Sequence, residues 1–235
     1  MPKYLLVFEK GESVRWLSHL DIHRTFERAI RRAGLPIAFS AGFNPRERLS
    51  FVSALGTGIT GANELMVLEL TEPLALDAIR TQLNGVFPSG IQVLESHEIP
   101  DTAVKLLPKE IDRAEYRVVC ACTKETSSET IQEAICNLLA QDEIMIARER
   151  DGRTRHANIR PFLFALHLLP ERESDTRILL SMILGQSESG TARPQEIVTA
   201  LQLATPDLTL RRSQRVCMMT IQGKYQLSLS PLAPL

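Results

Sequence analysis

Residues 18–34 read SHLDIHRTFERAIRRAG, and the periodicity of this stretch sets the fold. Ile22, Phe26, Ala29, Ile30 and Ala33 recur at intervals of three and four, so they form one apolar stripe along a helix. Ser18 suits the N-cap, and Asp21 three residues on completes an acidic variant of the capping box. Leu17 and Ile22 are placed for a hydrophobic staple across that cap. Gly34 ends the helix and Pro36 keeps it from resuming. The pattern predicts a helix over 18–33 that packs by one face.

Outward from this helix the chain alternates in kind. Tyr4 to Phe8 is an apolar run that reads as a strand. Ile37 to Ser40 is extended, and strands follow at Leu49 to Leu55 and Glu64 to Leu70. Pro73 opens a second helix in which Leu76, Ile79 and Leu83 share a face, with Gly85 as its left-handed stop. Ile91 to Ile99 is again a strand. The order β-α-β-β-α-β is the split βαβ of a ferredoxin-like fold.

Residues 100–113, with two prolines and mixed charge, read as a linker. Beyond it come a strand at Glu115 to Cys122 and a helix at Ser128 to Ala140 that buries Ile131, Ala134, Ile135 and Leu138. Asp151-Gly152 is a strong hairpin signal between Glu143–Arg150 and Arg153–Arg160. Strands at Phe162 to Leu169 and Arg177 to Leu184, a helix at Pro194 to Leu203 and strands over Leu208 to Thr220 complete the chain. The expected fold is α+β: two ferredoxin-like (βαββαβ) halves, 1–99 and 114–235, the second with extra strands.

Composition excludes several function classes. Of 235 residues 44% are apolar and 23% charged, an ordinary globular balance. Net charge is −1, so affinity for nucleic acid has to come from local patches. No apolar run approaches the roughly 18 residues of a membrane span, and MPKYLLVFEKGE reads as a strand rather than a signal segment. A cytoplasmic protein is expected. Cys120, Cys122, Cys136 and Cys217 lack C-x-x-C spacing, which fits reduced, structural thiols. GTGITG at 56–61 matches G-x-G-x-x-G but precedes a strand instead of opening a helix, so no dinucleotide cofactor is expected.

The first helix also carries the candidate chemistry. His19 and His23 lie one turn apart at the edge of the apolar stripe. HLDIH superficially resembles a zincin motif, yet Leu20 stands where that chemistry needs glutamate, and no third ligand is nearby. No metal is expected; the histidines remain candidates for core-edge packing, general acid or base catalysis, or an RNA contact. From Arg15 to Arg48 there are seven arginines against three acidic residues. Arg24, Arg28 and Arg31 stack opposite the apolar stripe, with Glu27 placed to pair with Arg31. Arginine suits planar, bidentate contact with phosphate. GFNPRERLSF at 42–51 sets Gly42, Asn44 and Pro45 in a tight loop flanked by Arg46 and Arg48. In the hairpin, a two-residue turn pairs Arg150 with Arg153 and Arg148 with Arg155, so all four share one face. Like charges directly opposite destabilise a sheet, and this cluster points to a polyanionic partner.

The run from Val14 to Leu70 resembles the N-terminal signature of the radical SAM-linked proteins, a bacterial family of unknown function. The resemblance rests on Arg15, LSHLD at Leu17–Asp21, Arg24, RRAGLP at Arg31–Pro36, GFNP at Gly42–Pro45, LSF at Leu49–Phe51, and Glu64. It covers about fifty residues, with looser matches at AEYRV and Arg160-Pro161. Val67 departs from the family's aspartate about three residues after Glu64. Members occur fused to, or encoded beside, a cobalamin-binding radical SAM enzyme, so the resemblance implies that enzyme as a partner. The chain lacks C-x-x-x-C-x-x-C and cannot hold the iron–sulfur cluster itself. A fold-level analogy connects the two-half architecture with the CRISPR RNA-processing ribonucleases.

The expected function is a non-enzymatic accessory that binds RNA and presents substrate to a radical SAM protein. Its anion-binding candidates are Arg15, Arg24, Arg28, Arg31, Asn44, Arg46, Arg48, Arg148, Arg150, Arg153 and Arg155. Two alternatives stand beside it: a metal-independent endoribonuclease using His19 or His23, and a pure protein-interaction module.

Overall fold

The first helix forms as α1 (His19–Arg32), capped as its sequence demands. The Ser18 hydroxyl accepts from the Asp21 amide at 3.2 Å, and Asp21 Oδ2 accepts from the Ser18 amide at 3.1 Å. Those Ser18 contacts, with a smaller contribution from Arg24, hold the Asp21 carboxyl below its usual range. Gly34 follows with φ +68, a conformation that favours glycine. Ser18→Ala is expected to cost about 1 kcal/mol in urea titrations. Arg28→Ala, on the solvent face, should stay within about 0.5 kcal/mol.

The computed structural model describes residues 1–123, 126–150, 152–174, 176–187, 190–220 and 223–224 as a mixed α+β, mostly antiparallel molecule. Two units divide it, one built on Met1–Glu110 and the other on Ile111–Gly223. The first holds β1 (Lys3–Lys10), α1, β2 (Leu49–Phe51), β3 (Ile59–Glu69), α2 (Leu76–Asn84), β4 (Ile91–Ile99) and α3 (Asp101–Glu110). Its strands run β4-β1-β3-β2, each antiparallel to its neighbour. Leu6 faces Met66 and Val7 faces Leu65 across β1 and β3. Tyr4, Leu6, Phe8, Met66 and Leu68 pack against Ile22, Phe26 and Ile30 of α1, the stripe its periodicity predicts. Burying such side chains contributes about 1.5–3 kcal/mol each.

Several expectations change. Helix α2 begins at Leu76 behind an Ala75 N-cap rather than at Pro73, and the strand expected over Leu49 to Leu55 ends at Phe51. Gly85 caps α2 with φ −68, in the right-handed region, and is not a left-handed stop. Residues 37–40 make only the isolated bridges Ile37↔Leu70 and Phe39↔Glu47 instead of a strand. The presumed linker 100–113 is largely helix α3, followed at once by β5 (Ile111–Ala121). Pro100 supplies the carbonyl that the Ala103 amide bonds at 3.0 Å, and Leu107 is buried. Pro108 lies in the last turn, where it forgoes the amide bond that would reach back to Val104, and the helix ends two residues on at Glu110.

The second unit continues with α4 (Ser128–Leu139), β6 (Met145–Arg150), β7 (Arg153–Asn158), β8 (Leu163–Ser174), β9 (Arg177–Ser187), β10 (Gly190–Thr191), α5 (Pro194–Leu201) and β11 (Thr209–Thr220). Its sheet runs β10-β9-β5-β11, with β8 also paired to β9. Hairpin β6–β7 is a separate two-stranded sheet with Arg150 opposite Arg153 and Arg148 opposite Arg155. Asp151 lies outside the described residues. The four cysteines are free thiols, and burial, with a smaller effect of Cys122, pushes Cys120 up to about 12. No helix among the described residues is long and apolar enough to cross a membrane.

Asp207 ties the approach to α4 to the approach to β11. It accepts from the Thr126 and Thr123 hydroxyls, both at 2.7 Å, which lower its carboxyl to about 2 from an ordinary 3.8. A depressed carboxylate stabilises the fold above the ordinary value and loses that contribution as pH falls through about 2. Asp207→Asn should therefore be less stable than wild type near neutrality, with the difference shrinking as pH drops below about 4. Unfolding followed across that acid range checks it.

Candidate nucleic-acid interface

The α1 row presents its arginines unequally. Arg24 is mostly exposed and only 4.0 Å from Asp21, its nearest acid. Arg28 is exposed and makes no ion pair among the described residues. Arg31 is 64% exposed, and its Nε donates to Glu47 Oε1 at 2.5 Å. Glu27 instead lies 3.4 Å from His23 Nδ1. The expected Glu27–Arg31 pair gives way because an exposed i,i+4 pair is worth only about 0.3–0.5 kcal/mol. Glu47, with a side chain 1% exposed, needs a cation far more. Its second oxygen, Oε2, is buried and makes no hydrogen bond to a described residue. Arg15 pairs with Glu12 and lies 4.6 Å over the Trp16 ring.

The GFNP loop projects from a braced base. The Arg48 amide bonds Ala38 O, the Ser40 amide bonds Arg46 O, and the Arg46 amide bonds Ser40 Oγ, all at 2.8–2.9 Å. Above these rungs, residues 41–46 are exposed. Gly42 sits at φ +125, Phe43 is fully exposed, and Asn44 and Arg46 face solvent. Arg48 is partly occupied, with Nη1 3.2 Å from Glu69 and Nε 3.3 Å from Phe39 O.

The hairpin is a smaller basic surface than its register suggests. Arg148 is captured by Glu196 of α5 through two bonds, Nε to Oε1 at 2.7 Å and Nη2 to Oε2 at 2.8 Å. It also bonds Thr191 O at 2.7 Å, while Glu196 accepts the Arg193 amide at the start of α5. Arg148, one of the expected anion contacts, is thus a clasp between hairpin and helix. Arg153 and Arg155 are exposed; the side chain of Arg150 lies outside the described residues.

The histidines sit beside a buried polar cluster. His19 packs edge-on to Phe51 at 5.2 Å, and His23 lies 5.8 Å from the same ring. His19, Phe51 and Ser53 line a cavity of about 10 Å³ together with Lys10 and Glu64. That volume has room for about one water. Lys10 is 1% exposed, and its Nζ donates to the carbonyls of Leu17 at 2.9 Å, Arg15 at 3.0 Å and Gly56 at 3.5 Å. Glu64 is 2% exposed, and a Cβ on Gly61 would fall 2.5 Å from its Cγ. Gly61 therefore makes room for a buried carboxylate. Sequence reasoning missed Lys10, although strand period sets it on the same face as Leu6 and Phe8. No group of three or more His, Cys, Asp or Glu side chains among the described residues could hold a metal.

No curated protein matches the chain in sequence. In structure it is similar to a Cbf5-Nop10-Gar1 complex, with a TM-score of 0.57 and 10% identity over 92% of this chain and 48% of that one. An H/ACA RNP bound to a substrate RNA containing 2'-deoxyuridine matches at a TM-score of 0.49 and 11% identity, over 90% of this chain and 46% of that one. The chain thus spans about half the length of the chains it matches. What it shares with the Cbf5 complex at such identity is the fold. A family model fits residues 3–194, and the chain belongs to DUF2344, a family of uncharacterized proteins conserved in bacteria.

Proposed function

We propose that this protein is a cytoplasmic, non-enzymatic accessory that binds RNA and presents it to a separate radical SAM enzyme. One observation carries the RNA reading: Arg24, Arg28 and Arg46 all face solvent from one unit of a chain whose net charge is −1. Among the described residues, Arg24 alone of the three has an acid within reach, at 4.0 Å. Arginines left so weakly paired on one unit repel one another unless an anion neutralises them. The resemblance over Val14–Leu70 supports the radical SAM partner. Strand orders β4-β1-β3-β2 and β11-β5-β9-β8 support two ferredoxin-like units as the scaffold. Binding is favoured over cleavage because His19 borders a cavity of only about 10 Å³ and His23 faces Glu27.

A short fluorescent single-stranded RNA, titrated at several salt concentrations, tests the reading. Each phosphate neutralised contributes about −0.7 to the log–log salt slope, so about four contacts give a slope near −3. Replacing Arg24, Arg28 and Arg46 together with serine should flatten it by about 2. Absence of binding at low salt would refute RNA as the ligand.

A further inference from the structure

We infer that the 39–48 loop is a clamp for an unpaired nucleotide, with a base stacked on Phe43 and the adjoining phosphates held by Arg31 and Arg46. This rests on the RNA-binding reading and names the form of RNA it takes. Phe43 is fully exposed at the tip of a loop whose base is fastened by backbone rungs, so the ring adds nothing to the core of its own unit. A lone apolar side chain on a surface is ordinary. Its surroundings make this one different. Phe39, half exposed, stands at the base of the same loop: Arg48 donates to its carbonyl at 3.3 Å, Glu47 opposite it holds Arg31, and Arg46 lies on the next rung.

The nearby acids leave that field positive. Glu47 is buried and spent on Arg31, and Glu69 is largely buried between Arg48 at 3.2 Å and Lys3 at 3.9 Å. Glu47 grips Arg31 by Nε alone, so the guanidinium is oriented while its Nη groups make no hydrogen bond among the described residues. Two outward donors at a fixed angle match the bidentate geometry of a phosphate. Glu47 is a positioning residue in this arrangement. An aromatic ring beside phosphate-binding cations is the usual means of holding single strands. In a duplex both faces of each base are already stacked, so Phe43 can take only an unpaired one.

Binding of a labelled single-stranded RNA and a duplex of equal length, each titrated with salt, tests the clamp. Phe43→Ala should weaken single-strand binding by roughly 5- to 150-fold, leaving the salt slope and duplex binding unchanged. Phe43→Trp should retain affinity, and its fluorescence, above that of Trp16 in the parent, should be quenched by the single strand. Arg31→Ser and Glu47→Gln should each flatten the slope by about 0.7, and the double variant by no more, a pattern that a merely structural Glu47 would not produce. Wild-type RNA binding that Phe43→Ala leaves intact overturns the clamp and spares the RNA-binding reading. No RNA binding by wild type at low salt overturns both. Equal affinity for polyglutamate, insensitive to Phe43→Ala, would assign the loop to an acidic protein and overturn the clamp.

Discussion

Lys10→Met is expected to destabilise the N-terminal unit by about 2 to 3 kcal/mol. Methionine preserves the length and apolar stem of the side chain, so the change isolates the ammonium. That group reaches three carbonyls on two separate stretches: Arg15 and Leu17 between the 3-10 turn Glu12–Val14 and α1, and Gly56 in the approach to β3. The Arg15 carbonyl also accepts the Gly58 amide at 2.8 Å, and the Gly56 carbonyl the Ile59 amide at 3.4 Å, so both keep a partner in the variant. Leu17 loses its lysine bond, at about 1–3 kcal/mol for a carbonyl left unsatisfied. The buried Glu64 also loses a nearby positive charge, which adds to the cost. Relief from desolvating an ammonium offsets part of this, which keeps the net below the simple sum. Urea unfolding of the variant checks it, and stability equal to wild type would show that the lysine bonds contribute nothing.

Arg148→Ala should cost the second unit about 3 kcal/mol, whereas Arg153→Ser and Arg155→Ser should each lie within about 0.5 kcal/mol of wild type. Removing Arg148 strands Glu196, which is 8% exposed, without its counter-charge. Removing Arg153 or Arg155 only relieves a like-charge neighbour across the hairpin. Three arginines of one short hairpin thus have opposite energetic characters. Thermal unfolding of the three single variants separates them. Equal losses in all three would mean that Arg148 is as solvated as its neighbours.

What was legible in the sequence was local. The cap at Ser18 and Asp21 involves residues three apart, and the stripe from Ile22 to Ile30 follows from helical period alone. The pairing of Arg148 with Arg155 follows from a two-residue turn. The α3 helix escaped notice because its composition is that of a linker, and its reason for folding, the burial of Leu107, is tertiary. Lys10 escaped for a similar cause: a lysine ending an apolar strand looks solvated until two loops close over it.

The sequence by itself determined the alternation of strands and helices, the caps and the local excess of arginine, because each depends on neighbours within a turn or a strand period. Tertiary structure decided which arginines remain available. Arg31 lies 16 residues from Glu47 and Arg148 lies 48 from Glu196, separations at which only the folded chain sets who meets whom. The energies explain the choice. A carboxylate buried by the fold draws in a cation more strongly than an exposed i,i+4 neighbour can hold it, so burial elsewhere in the chain assigns each arginine its role.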